Sequence, residues 1–89
     1  MTLRDRILLT AWLMGPIRTC DLHFVMLLCG RSIARFCFIR ALAWLESDVY
    51  TETVERRLVV TPRGEARCRY LLSVQEATDD METLLRIRK

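Results

Sequence analysis

The stretch "LVVTPRGEA", Leu58 to Ala66, constrains this chain more than any other. Its opening "LVV" reads as the end of a β-strand. Thr-Pro then ends the strand and opens a helix, with Thr61 as N-cap and Pro62 as the first helical residue. Pro suits that place because its missing N–H would have had no partner and its φ is already helical. Gly64 costs helix propensity in the first turn. The spacing therefore predicts that the helix start approaches a neighbouring element closely.

Upstream, the apolar period is helical. Thr2 is placed to cap a first helix with Asp5 as its capping-box partner, and Leu3, Ile7, Leu8, Ala11, Trp12 and Met14 recur on one face. Gly15-Pro16 stops that helix. Thr19 or Asp21 caps a second, "CDLHFVMLLC", which ends at Gly30, and Ser32 caps a third, "IARFCFIRALAWLE". "VYTETV" and "RLVV" are β-branched and partly alternating, which predicts a hairpin turning near Glu55-Arg56. From Glu65 to the end the composition is helical, with Thr78-Asp79-Asp80 as a break point. The fold class expected is mainly α with a small β-hairpin.

Eighty-nine residues make one domain, and a 52% hydrophobic content builds its core. The net charge of +3 is spread thinly. Residues 1–48 hold six Arg against four acids, 49–61 balance, and 62–89 hold six basic residues against five acids. Phosphate binding is allowed by this balance without being announced by it. Of the 14 basic residues only Lys89 is a lysine, and Arg forks suit phosphate and carboxylate alike.

Cys20, Cys29, Cys37 and Cys68 are read as reduced core thiols, with disulfides and metal ligation as rival readings. The metal reading rests on Cys20 and His23, one helical turn apart, with no second pair at ligand spacing. Arg4 and Arg6 before "ILLTAWLM" look faintly like a signal peptide, but Asp5 and the lack of an A-x-A-like site point to a core helix. That run is too short to span a bilayer. A cytoplasmic protein with no membrane partner is expected. One His, no Gly-rich phosphate loop and no G-x-S-x-G argue against an enzyme, and no cofactor or metal is expected.

Gly15-Pro16, Gly30, "LAWLE" at Leu42–Glu46 and "VVTPRGEA" at Val59–Ala66 together resemble the winged helix-turn-helix domains of bacterial regulators of the MarR and PadR type. The match covers roughly residues 3–72. It divides the chain into a winged helix-turn-helix domain, 1–72, and a C-terminal helical extension, 73–89. The resemblance implies a recognition helix near 32–46, a wing near 49–60, and a homodimer built on the terminal helices. Two features depart from the family pattern. Ser47-Asp48 stands where a Gly usually follows "L-E", and the short wing sets Glu52 and Glu55 beside Arg56 and Arg57.

On a helical wheel, Ala34, Phe38, Ala41 and Leu45 form the core face of the third helix. Arg31, Ser32, Arg35 and Glu46 form a stripe that Ile39 and Leu42 interrupt, and Ile33, Phe36, Cys37, Arg40, Ala43 and Trp44 fill the remaining arc. Three readings stay open: a helix buried on most sides, a narrow DNA contact, or a docking face for protein. Under the DNA reading the contacting residues are Arg31, Ser32, Arg35, Arg40, Arg56 and Arg57, and the partner is double-stranded DNA. Under the alternative a protein partner takes its place. Tyr70, Val74, Ala77, Met81 and Leu84 step as a heptad seam and are the expected dimer interface, unless they cover their own domain.

Overall fold

The first helix, α1 (Leu3–Met14), starts where the sequence places it: Thr2 accepts a hydrogen bond from the Asp5 backbone N–H at 3.3 Å. A computed structural model describes residues 2–28 and 33–73 of the chain. Its elements follow as α2 (Thr19–Leu28), α3 (Arg35–Ser47), β1 (Thr51–Val54), β2 (Arg57–Val60) and α4 (Pro62–Ser73). The fold is mainly helical with a two-stranded antiparallel hairpin. The expected order of three helices, hairpin and final helix is present.

α1 runs through the middle of the core. Ile7, Leu8, Leu9 and Ala11 are buried on it, against Leu22 and Met26 of α2, Phe38 and Leu45 of α3, and Cys68 and Leu71 of α4. Gly15 ends α1 at φ 76, and its N–H caps the Ala11 carbonyl. The chain then makes an antiparallel bridge, Ile17 to Leu58, which ties the α1–α2 connection to β2. Two backbone bonds, 3.2 and 2.7 Å, carry that bridge.

The hairpin turns at Glu55-Arg56, between the paired Val54 and Arg57. Both turn residues have positive φ, 52 and 66, as a two-residue type I′ loop demands. Neither is Gly or Asn, so the turn holds two side chains in a region they rarely adopt.

Thr61 caps α4 as expected: its Oγ1 accepts from the Gly64 N–H at 3.2 Å. Gly64 is buried, and a Cβ there would lie 2.1 Å from the Tyr50 carbonyl oxygen. The close approach expected at this glycine is therefore to the chain leaving α3. That exit is a Schellman motif: Tyr50 N–H bonds the Leu45 carbonyl at 2.9 Å and Val49 N–H bonds Glu46 at 3.0 Å. Val49 fills the left-handed position at φ 62, where Gly is usual. Thr61 fastens it, since its hydroxyl also donates to the Val49 carbonyl and its N–H to the Tyr50 carbonyl at 3.1 Å.

Three expectations need correction. α3 begins at Arg35 with Ala34 in the cap position, not at Ser32. Ile33 packs on the core and its carbonyl lies 3.0 Å from His23 Nε2, so tertiary contacts hold Ile33-Ala34 out of the helix. Ala34 is exposed and not on the core face, whereas Phe38, Ala41 and Leu45 are buried as expected. α2 starts at Thr19, which makes Thr19 helical and not a cap.

The thiols divide. Cys68 is fully buried, and desolvation, with the nearby Asp5 and Glu65 carboxylates, pushes it up to about 12. Cys20 and Cys37 are exposed, against the expectation of core thiols, and none of these three is in a disulfide. No helix among the described residues is long and apolar enough to cross a membrane.

Candidate nucleic-acid interface

Helix α3 buries one narrow stripe and leaves the rest open. Phe36 is 69% exposed and Ile39 51%, with Arg35, Cys37, Arg40 and Ala43 also exposed. Of the three readings of this helix, burial on most sides does not hold. A helix with Arg35 and Arg40 exposed beside these apolar residues is available to a partner.

Arg35 shares a hollow with Thr19, Cys20 and His23, so it stands beside the N-terminus of α2. Arg18 precedes that N-terminus and shares a second hollow with Glu55, Arg56 and Arg57 of the hairpin. The Ile17–Leu58 bridge holds Arg18 there, because it sets the residue after Ile17 next to the residue before Leu58. Arg35, the α2 N-terminus, Arg18, Arg57 and Arg56 thus follow one another across the surface. Asp21 and Glu55 lie among them and leave the track net positive. The partial positive charge of the α2 N-terminus adds to it.

Arg18 was not singled out in the sequence, where it is one Arg among many. Only the bridge to β2 brings it to the hairpin, and no local signal marks that pairing. Arg40 sits with its guanidinium 5.6 Å from the Phe36 ring centre, farther along α3 than Arg35. Arg31 and Ser32 lie outside the described residues, as do Val74, Ala77, Met81 and Leu84. Tyr70 is exposed on α4, with Arg67 over its ring at 5.4 Å.

Other arginines are committed elsewhere. Arg67 forks onto Asp5, Nε to Oδ1 at 3.3 Å and Nη2 to Oδ2 at 3.2 Å, which ties α4 to α1. The hydrogen bond to Asp5 is the main cause that raises the Arg67 pKa above its ordinary value. Arg4 lies 3.8 Å over Trp44, whose ring is 5.9 Å from Tyr50, and Arg63 lies 4.8 Å over Tyr50. Arg69 pairs with Glu65 at 2.8 Å.

Among the described residues no group of three or more His, Cys, Asp or Glu side chains is arranged to hold a metal ion. Cys20 and His23 share the Arg35 hollow, but His23 is engaged by the Ile33 carbonyl and packs on Phe38 with ring centres 4.8 Å apart. No family model matches the chain, and neither a curated protein nor a solved structure matches it.

Proposed function

We propose that this protein is a small DNA-binding regulator of winged-helix type, resembling the MarR and PadR regulators. It sets α3 in the major groove and grips the backbone with the arginines around the start of α2 and the hairpin tip. The observation that carries this reading is the track from Arg35 through Arg18 to Arg57 and Arg56. Phosphates flanking a groove-bound helix need cations on a neighbouring element, and the hairpin and the α2 N-terminus supply them. Arg56 adds to the case, since it occupies a left-handed turn position that Gly would fill at lower cost. A homodimer through the terminal helix would present two such faces to a two-fold operator. Such a regulator works in the cytoplasm, where exposed thiols stay reduced.

Titration of a fluorescent mixed-sequence duplex over a range of salt tests the proposal. Each phosphate contact contributes about 0.9 to the log–log salt slope. Changing Arg18, Arg35, Arg56 and Arg57 together to Ala should flatten the slope by roughly four such contributions. Absence of duplex binding at low salt would falsify the reading.

A second reading, a winged-helix module that binds protein in place of DNA, has its own observation. Phe24 of α2 is 61% exposed, and Leu27 and Leu28 are exposed beside it. With Phe36 and Ile39 they put large apolar side chains on the surface of both helices, which a purely phosphate-directed surface does not need.

A further inference from the structure

At the seam of α1 and α3 is a hollow of about 330 Å³ that lies off the track from Arg35 to Arg56 and shares Arg40 with the proposed DNA contacts. Leu3, Cys37, Ala41 and Trp44 give it an apolar floor and wall, and Arg4 and Arg40 are the charged residues among its described lining. Among the described residues no carboxylate lines it. Both guanidiniums stand over aromatic rings, Arg4 3.8 Å from the Trp44 ring centre and Arg40 5.6 Å from that of Phe36. A guanidinium over a ring still offers its N–H edge, and that edge matches the two oxygens of a carboxylate.

We infer that this hollow binds a protein segment carrying acidic side chains next to an aromatic or aliphatic anchor. The charge requires an anion and the floor requires an apolar group. A phosphodiester backbone supplies the first without the second. A small free acid is a poor match as well, because the hollow is shallow and covers too little of a small ligand. A peptide makes up the difference by continuing along exposed Phe36 of α3, on which Arg40 stands. This inference goes beyond the DNA reading and does not rest on it, although Arg40 belongs to both surfaces.

Cys37 is an exposed thiol in the lining, and Cys20 is an exposed thiol in a different hollow, so the chain carries its own footprinting probe and control. The test measures alkylation of both thiols by iodoacetamide in the intact protein, with a short peptide of Asp, Glu, Leu and Phe. The acidic peptide should slow modification of Cys37 several-fold and leave Cys20 unchanged. Its counterpart with Asn and Gln for Asp and Glu should protect neither. Arg4→Gln and Trp44→Ala should each remove the protection. A joint change of Arg18, Arg56 and Arg57 to Ala should preserve it while weakening duplex binding. Circular dichroism checks that each variant is folded. Arg4→Lys, which keeps the charge and loses the flat fork, replaces Arg4→Gln if that variant unfolds, and should also bind more weakly. Absent protection, equal protection by the neutral peptide, or full protection in a folded Arg4 variant would overturn the inference.

Discussion

The two ends of α3 are built on opposite plans. Its C-terminal end is closed by the Schellman pair at Val49 and Tyr50, by two hydrogen bonds from Thr61, and by Gly64 packed under the Tyr50 carbonyl. Its N-terminal end has Ala34 as a cap with no side-chain hydrogen bond, and its first turn carries exposed Arg35 and Phe36. An Arg in the first turn opposes the helix dipole, so this end spends stability that the other end saves. The contrast separates two tasks. The closed end locks α3 to the hairpin and α4 and so fixes its direction, which under the proposed DNA reading aims the helix. At the open end Ala34 gives no side-chain cap and Arg35 and Phe36 are exposed, which under the same reading leaves them for a partner.

The sharpest way to break this contrast is to disrupt the closed end. Gly64→Ala puts a Cβ into the Tyr50 carbonyl, and the Val60 side chain, 2.8 Å from that Cβ, limits the escape. A loss of about 3 kcal/mol is expected, at the upper end of overpacking costs, and thermal or urea unfolding monitored by circular dichroism measures it. A change below about 0.5 kcal/mol would mean that the junction yields easily and does not aim α3.

Val49→Gly has the opposite sign. Val49 is 59% exposed, so little packing is lost, and removing the Cβ relieves the left-handed conformation. Against that stands the greater entropy of Gly in the unfolded chain. A net gain of about 1 kcal/mol is expected in the same unfolding measurement. A loss would show that the Val side chain holds the hairpin in place by contacts of its own.

Ala34→Ser addresses the open end and carries the smallest effect. At φ −59, ψ 135 the backbone already has the extended form of a cap residue. The hydroxyl should stabilise α3 by roughly 0.5 kcal/mol. If the open end serves partner contact, the added cap should weaken duplex binding even as it raises stability. A variant that gains stability and keeps its affinity would show that the uncapped end has no such use.

Much of the fold was legible because its signals are short. Thr61-Pro62 set the start of α4 through one missing donor and one capping hydroxyl, Gly15-Pro16 set the end of α1, and the β-branched runs on either side of Glu55-Arg56 set the hairpin. Gly64 even foretold a close neighbour without naming it. The candidate site was legible only in part. Arg35, Arg40, Arg56 and Arg57 could be picked out as exposed cations, whereas Arg18 could not, since its place depends on the Ile17–Leu58 bridge across 41 positions of sequence.

What the sequence determined alone was the start of α1 and α4, the end of α1 and the hairpin turn, because caps, proline geometry and apolar period act within a few residues; the starts of α2 and α3 it misplaced. Tertiary structure decided which faces those elements show. The wheel allowed α3 to be buried on most sides, yet α1 covers only its Phe38–Ala41–Leu45 stripe and leaves Phe36, Cys37 and Arg40 outside. It also made Val49 take a glycine's conformation and buried Cys68 while exposing Cys37. Each of these is settled by a neighbour distant in sequence, and burial is a property of such neighbours, not of the residue itself.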